Sequence, residues 1–130
     1  MREVDKAWLA GLIEGEGCFT ILAESTCKKG KIYVHYRPYI TISNTSVELL
    51  EWVQKILGYG RIYHYSRPPW KAEHTLCVYN KAQIIRLCQD ILPYLIAKRK
   101  HAMVLIEACQ PNSDLNKLYQ AIRALNKRGE

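Results

Sequence analysis

Long apolar runs are absent from this sequence of 130 residues, and no stretch approaches the roughly 18 apolar residues that a membrane span requires. The charged opening, MREVDK, is unlike a signal peptide. Acidic residues are also few, because 12 Asp and Glu stand against 19 Lys and Arg, which gives a net charge of +7. We therefore expect no membrane partner, and the excess of positive charge favours a polyanion as the partner.

The cysteine and histidine spacing excludes two further classes of protein. The five cysteines are odd in number and widely separated, so they fit neither a disulfide framework nor a zinc knuckle. The four histidines lack the spacing of a metal motif as well. We expect an intracellular, reducing compartment, and the sequence does not distinguish an organelle (chloroplast or mitochondrion) from a prokaryotic cytoplasm.

The periodicity of the apolar residues predicts a single α+β domain over residues 1–130, with the order α-β-β-α-β-β-α and further C-terminal helices. Two hairpins with helices on one side imply an antiparallel four-stranded sheet whose other face is open. The first predicted helix covers residues 6–16, is capped by Asp5 and is stopped by a left-handed Gly17. Two strands follow over 18–25 and 31–43, joined by a turn at Lys28-Lys29-Gly30, and a second helix is opened by a Thr45–Glu48 capping box and ended by Gly58. Further strands lie within 60–66 and 74–80, a helix capped by Asn80 runs up to Pro93, and the last helices cover 98–109 and 115–126.

The second strand has the clearest alternation of apolar and polar residues. One face carries Ile32, Val34, Tyr36, Ile40 and Ile42, which we expect to pack against the helices, and the other carries Lys31, Tyr33, His35, Arg37, Tyr39 and Thr41. Pro38 lies within the strand and predicts an edge position or a bulge there, because proline cannot donate a ladder hydrogen bond.

The first helix has one apolar face and one face of small residues. At about 100° per residue, Trp8, Leu9, Leu12 and Ile13 share an arc that should pack on the sheet. The opposite arc consists of Ala7, Ala10, Gly11 and Gly15. Small residues four apart let a second helix approach closely, although tight packing within the same chain is an equally simple alternative.

Two carboxylates, Glu14 and Glu16, end this helix in the stretch WLAGLIEGEGCF. A helix C-terminus carries partial negative charge and favours cations, so acidic residues there need compensation. Carbonyl oxygens and the Glu16 carboxylate are hard oxygen ligands that could hold Mg²⁺. Two solvated glutamates beside a glycine cap are the alternative, and the residues by themselves leave both interpretations open.

The stretch LAGLIEGEG, Leu9 to Gly17, resembles the LAGLIDADG motif of homing endonucleases, and the predicted element order is similar to the family domain over nearly the whole chain. This resemblance implies a saddle-shaped sheet in the DNA major groove and a divalent metal, Mg²⁺ or Mn²⁺, near the scissile phosphate. One motif per chain implies a homodimer and a near-palindromic target. The implied dimer interface consists of Ala7, Ala10, Gly11, Glu14 and Gly15.

The resemblance also implies roles for individual residues. Glu16 occupies the position of the catalytic acid, and the Gly15 carbonyl is expected to help hold the metal. Glu14 matches the motif acid that faces the helix interface, which is a structural role. Lys98 matches a lysine that polarises water or stabilises the transition state, and Asn44 follows the second strand where a polar residue positions water. A solvated Lys98 and an ordinary turn residue at Asn44 are the alternatives.

The open face of the sheet is expected to contact double-stranded DNA. Its outward positions are Thr20, Leu22, Glu24, Tyr33, His35, Arg37, Tyr39, Arg61, Tyr63, Tyr65, Arg67, Glu73 and Thr75. Arginine reading guanine is the strongest expectation, and Lys28, Lys29, Lys31 and Lys71 are expected to contact phosphates. The alternative is the solvated face of an amphipathic sheet. No basic residue stands at the start of the second helix, so we expect fewer basic side chains around the metal than is usual in the family.

The resemblance therefore implies a site-specific double-strand DNA endonuclease that is encoded within a mobile intron or intein. The alternative is a non-cleaving relative, either a maturase that binds its host intron RNA or a DNA-binding regulator. Retention of Glu16 and Lys98 argues against a role in binding alone. A small RNA-binding protein of translation would explain the charge and would leave the first helix unexplained.

Overall fold

The computed structural model describes residues 1–127 of the chain. Its four strands form one antiparallel sheet in the order β1-β2-β4-β3, with the helices packed on one face, which confirms the predicted α+β architecture. None of the helices within these residues has the length and apolarity that crossing a bilayer requires. The elements are α1 (Glu3–Glu16), β1 (Gly17–Lys28), β2 (Lys31–Asn44), α2 (Val47–Leu57), β3 (Arg61–Tyr65), β4 (Glu73–Val78), α3 (Lys81–Ile91), a short 3₁₀ helix (Leu92–Tyr94), α4 (Arg99–Ala108) and α5 (Leu115–Asn126).

The core lies between the helices and the inner face of the sheet. Each buried leucine, isoleucine or phenylalanine contributes about 1.5–3 kcal/mol to folding by leaving water. The single phenylalanine, Phe19, is among the fully buried residues. The largest fully buried side chains are Phe19, Leu9, Ile13, Ile21, Ile40, Ile42, Leu50, Leu76, Ile84, Leu87, Ile91 and Leu105.

The hairpin of β1 and β2 extends beyond the helices. Its turn consists of Lys29 and Gly30, both with positive φ (51° and 77°), which confirms the prediction of a turn in the Lys28–Gly30 segment. Near the turn, Ile32 is 74% exposed and Val34 is 48% exposed. The prediction that both pack against helices was wrong, because no helix reaches this part of the hairpin and alternation alone does not show where the core ends.

Pro38 occupies a part of β2 that has a neighbour on one side. It pairs with Ile21 of β1, whereas the pairing of β2 with β4 begins only at Ile40, opposite Val78. The strand is therefore locally an edge at Pro38, which confirms the prediction of an edge position and explains why a residue without an N–H is tolerated.

The ends of α1 differ from the prediction. The helix begins at Glu3, so Asp5 lies in its first turn instead of capping it. The Asp5 carboxylate accepts a hydrogen bond from Arg2 Nε at 3.1 Å, and this contact lowers the pKa of Asp5. Gly17 is extended (φ −91°) and not left-handed. A Cβ at Gly17 would lie 2.7 Å from Ile13 Cγ2, so glycine is required there by close approach.

The caps of α2 and α3 are partly as predicted. Ser46, and not Thr45, caps α2 by accepting a hydrogen bond from the Leu49 amide at 3.3 Å. Gly58 ends that helix with φ 79°, as predicted. The predicted cap of α3 by Asn80 is confirmed by a 3.1 Å hydrogen bond from the Gln83 amide.

Candidate active site and nucleic-acid interface

The C-terminal end of α1 is neutralised by a lysine from a distant segment. The ammonium of Lys98 donates hydrogen bonds to the carbonyl oxygens of Ile13 at 3.1 Å and Gly17 at 2.6 Å. Positive charge at a helix C-terminus stabilises the unpaired carbonyls that carry partial negative charge. The two acidic residues of the motif are therefore tolerated at this end because Lys98 supplies the compensating charge.

Glu14 makes its contacts within its own chain. Its Oε1 accepts hydrogen bonds from the amides of Ile96 at 2.5 Å and Lys98 at 3.3 Å, and its Oε2 accepts one from Ala97 at 3.2 Å. A carboxylate that accepts three backbone hydrogen bonds is well satisfied. These contacts bind the segment before α4 and give no support to the expected role of this side chain at a helix interface.

Glu16 and Asn44 meet where α1 and β2 end. The Asn44 amide nitrogen donates to Glu16 Oε2 at 2.5 Å, and its Oδ1 accepts from the Ser46 amide at 2.7 Å. The asparagine side chain is thus fixed between the exposed acid and the start of α2. The structure brings together two of the three residues that we expected to be catalytic, and Lys98 is hydrogen-bonded to the same end of α1.

Asn44 is the first residue of a row across the sheet that continues with two histidines, His74 and His64, which the sequence did not predict. Asn44 lies directly opposite His74 of β4, and His74 lies opposite His64 of β3. Opposed residues share a face with Cβ atoms about 4.5–5.5 Å apart. The Nδ1 atoms of the two imidazoles are 2.7 Å apart. Only the strand register reveals this row, because neither histidine is near Asn44 in the sequence.

The donor atoms at the end of α1 fit magnesium better than zinc. Within residues 1–127, no group of three or more His, Cys, Asp or Glu side chains is placed to hold a metal ion. Mg²⁺ is commonly held by one or two carboxylates together with phosphate oxygens and water, whereas zinc sites use several His or Cys ligands. The exposed Glu16 carboxylate and the Gly15 carbonyl match the first pattern and leave further ligands to a bound phosphate or a second chain.

The exposed side of α1, here called the α1 ridge, consists of Val4, Ala7, Trp8, Gly11 and Gly15. An added Cβ at Gly11 or Gly15 would meet nothing within 4 Å, so the chain itself does not cover these glycines. Trp8 is 40% exposed and stacks edge-to-face on Trp52 of α2, with ring centroids 4.8 Å apart.

Two assignments on α1 were wrong. Ala10 is fully buried within its own chain and cannot be part of a dimer interface. Trp8 belongs to the exposed ridge and does not pack on the sheet. Both errors have one cause, since α1 contacts α3 as well as the sheet and its buried arc is therefore turned towards Ala10.

The strand register places the expected DNA-contacting residues on one face of the sheet. Thr20 opposes Tyr39, Leu22 opposes Arg37, and Glu24 opposes His35. On the other hairpin Tyr63 opposes Thr75 and Tyr65 opposes Glu73. The same face also carries Tyr33 and Arg61, together with Ser43, which the sequence reasoning missed, and Arg67 lies in the loop beyond β3.

This face is concave and rich in tyrosine. A groove of about 640 Å³ is lined by Leu22, Glu24, Arg37, Tyr39, Tyr63 and Tyr79, among others. Burial raises the pKa of Tyr39, so its hydroxyl remains protonated and can donate a hydrogen bond. Arg37 lies 3.9 Å from Glu24 with both side chains exposed, which leaves the guanidinium accessible to another partner.

Comparison with known proteins identifies the family. The profile of the LAGLIDADG endonucleases matches residues 9–106, which include the C-terminal half of α1, the whole sheet and most of α4. This chain belongs to the LAGLIDADG endonuclease family. A search of the curated proteins gives no significant match to it.

Solved structures of other LAGLIDADG proteins have the same fold. The homing endonuclease I-CvuI, in complex with DNA in the presence of Mg, is 24% identical, and the match covers 98% of this chain and 85% of that chain with a TM-score of 0.71. The archaeal intron-encoded homing endonuclease I-Vdi141I, complexed with DNA, is 21% identical, and the match covers 98% of this chain and 87% of that chain with a TM-score of 0.77. The meganuclease I-SmaMI, bound to DNA, is 22% identical, and the match covers 97% of this chain and 46% of that chain with a TM-score of 0.72. Identities this low show likeness of fold alone.

Proposed function

We propose that this chain is a homing endonuclease that hydrolyses both strands of a long, near-palindromic DNA site as a homodimer with a divalent metal ion. The observation that carries the proposal is the meeting of Glu16 and Asn44 at the end of α1, where Lys98 is also hydrogen-bonded. An acid, an amide and an ammonium at the end of one helix form a set suited to phosphodiester hydrolysis.

Each side chain of this set has a separate task in the proposed reaction. The Glu16 carboxylate and the Gly15 carbonyl would hold Mg²⁺ or Mn²⁺, which supplies activated water and neutralises negative charge. Asn44 orients the Glu16 carboxylate by donating to Oε2. Lys98 uses two of its three N–H groups on Ile13 and Gly17, and the third can donate to a phosphate oxygen or to the attacking water.

The α1 ridge is the proposed dimer interface. Its exposed glycines allow the backbones of two α1 helices to approach closely, and contact would bury Val4 and Ala7. The lengths of the relatives support this arrangement. The match covers 85% of the I-CvuI chain, which is therefore of similar length, but only 46% of the I-SmaMI chain, which is long enough for two such domains. Two copies of this chain would also bring two Glu16 carboxylates to a shared centre, which supplies the ligands that one chain lacks.

The outer face of the sheet is the proposed DNA-binding surface. The relatives named above are complexes with DNA, and this face carries the exposed Arg37 and Arg61 beside tyrosine and threonine side chains. Arginine bidentate to guanine provides sequence discrimination, whereas Lys28, Lys29 and Lys31 at the hairpin turn are suited to phosphates. We therefore also expect the affinity for DNA to fall steeply as the salt concentration rises.

The test is cleavage of the uninterrupted host-gene sequence in the presence of Mg²⁺ by the parent protein and by Glu16→Gln. We expect the parent and the control Glu51→Gln, which alters an exposed acid further along α2, to cut both strands, and Glu16→Gln to bind without cutting. Binding of DNA without cleavage by any variant, with Mg²⁺ or Mn²⁺, would contradict the proposal and favour a regulator. Binding of the host intron RNA in place of DNA would favour a maturase.

A further inference from the structure

The backbone of residues 96–98, just before α4, is hydrogen-bonded to a side chain of α1. Residues 96–98 follow the 3₁₀ helix, and Ile96 is 88% exposed, so apolar burial does not fix its position. Ala97 is exposed as well. The backbone contacts that fix this segment to α1 are the three amide hydrogen bonds to the Glu14 carboxylate.

Lys98 completes a reciprocal contact between the same two parts of the chain. Glu14 accepts hydrogen bonds from the backbone of residues 96–98, and the Lys98 ammonium donates to the carbonyls of Ile13 in α1 and of Gly17 at the start of β1. Each charged side chain therefore forms hydrogen bonds with the backbone of the segment that carries the other one. Loss of the carboxylate would leave Lys98 attached to the end of α1 through its flexible side chain alone.

We propose that Glu14 is a positioning residue for Lys98, because its carboxylate fixes the backbone from which the ammonium reaches the end of α1. The inference rests on the proposed function, in which Lys98 acts on the scissile phosphate. Glu14 itself does not touch the reacting groups, since both of its oxygens accept hydrogen bonds from the chain. Glutamine in its place would offer one acceptor oxygen and would turn an NH₂ group towards amide donors.

The experiment is a double-mutant cycle on the single-turnover cleavage rate with saturating DNA. We expect Glu14→Gln to slow cleavage about 10- to 100-fold, the range typical of groups that orient an active-site residue. DNA affinity measured with Ca²⁺ should be unchanged. Lys98→Ala should slow cleavage at least as much, and Glu14→Gln in the Lys98→Ala background should cause no further loss. Independent, multiplying losses would overturn the inference, because they would show that Glu14 does not act through Lys98.

Two further variants separate positioning from general stability. Glu14→Asp keeps the carboxylate and should recover part of the lost rate, and it can be measured even where Glu14→Gln folds poorly. Asp114→Asn is the control, because Asp114 also accepts a backbone hydrogen bond, from Lys117 at 3.1 Å, at the start of the remote helix α5. Its cleavage rate should equal that of the parent. If Glu14→Asp cleaves DNA as slowly as Glu14→Gln, the charge of the carboxylate does not position Lys98.

Amide hydrogen exchange distinguishes failure of this inference from failure of the proposed function. A parent that cleaves no DNA would overturn the proposed function. In that case the amides of residues 96–98 should still exchange faster in Glu14→Gln than in the parent and in Asp114→Asn. Unchanged exchange at these three amides would overturn the inference whether or not the parent is active.

Discussion

The side-chain nitrogen of Asn44 lies 2.5 Å from Oε2 of Glu16 and joins the end of β2 to the end of α1. The contact is short because the two elements converge there: Glu16 directly precedes Gly17, which pairs with Ile42, two residues before Asn44. One carboxylate oxygen is thereby oriented, and the other is available to a ligand.

Replacement of Asn44 by alanine should slow cleavage about 10- to 100-fold while leaving DNA binding intact, because Glu16 would lose the partner that orients it. The measurement is the single-turnover rate together with the affinity for DNA in Ca²⁺. Asn80→Ala is the matched control, since it removes an equivalent hydrogen bond to a helix start that is remote from Glu16. Equal rates for the parent and Asn44→Ala would contradict the role of the amide.

Replacement of Gly11 by leucine should prevent dimerisation and leave the fold intact. An added side chain at Gly11 meets nothing in its own chain, and the change should favour the isolated helix by about 0.8–1 kcal/mol. In a dimer formed through the α1 ridge, the same side chain would hold the two backbones apart. Sedimentation should show a monomer with an unchanged or higher Tm, whereas Gln89→Leu, an exposed site on α3, should remain dimeric. A dimeric Gly11→Leu protein would exclude this interface.

The stability of the fold should fall as the pH drops through 6.5, in part because of His101. Burial lowers the pKa of His101 below its ordinary value of 6.5, and the nearby charge of Lys98 adds to this effect. The unfolded chain therefore binds the proton more tightly than the folded chain, so acid favours unfolding in this range. The pKa of Asp5 is also lowered, from 3.8, and its contribution is lost only at lower pH.

Chemical denaturation of the parent and of His101→Leu tests this expectation. Well above pH 6.5, His101 is neutral in both the folded and the unfolded chain, so the difference between the two proteins should not change with pH. Below it, the free energy of unfolding of the parent should fall more steeply than that of the variant. Parallel curves on both sides of pH 6.5 would show that His101 does not titrate with folding.

Replacement of Arg37 by alanine should weaken DNA binding by about 1–3 kcal/mol if its guanidinium reads guanine, and should relax the preference at one position of each half-site. Arg37 is exposed on the outer face of the sheet, opposite Leu22. The matched control is Arg86→Ala, which removes an exposed arginine from α3 in the helical layer. Binding measured on a panel of single-base variants should change for Arg37→Ala only. Equal losses in both variants would indicate a non-specific effect of charge.

The elements of the fold could be predicted because their signals are local. The Lys29–Gly30 turn, the Gly58 stop and the Asn80 cap depend on residues within a few positions of one another, and all three are present in the structure. The alternation of β1 and β2 likewise identified the outer face of the sheet. These features need no knowledge of how distant parts of the chain meet.

The rest of the site depends on contacts between distant residues. The burial of Ala10 follows from the packing of α3 against α1, and the row from Asn44 to His64 follows from strand register. The three amides that bind Glu14 come from residues more than eighty positions away. Periodicity within one helix carries no information about such partners, so the acids of the motif could be located while the residues that contact them could not be predicted.

The far end of the β1–β2 hairpin has a consequence for how such a protein can change during evolution. Ile32 and Val34 are exposed on one side, and Tyr33 and His35 are exposed on the other, so neither side supports the core. Substitutions there should cost little stability and can accumulate while the acid, amide and ammonium at the end of α1 stay unchanged. If the outer face of the sheet binds DNA as proposed, a lineage could acquire a new recognition sequence through drift at the hairpin without an intermediate that fails to fold.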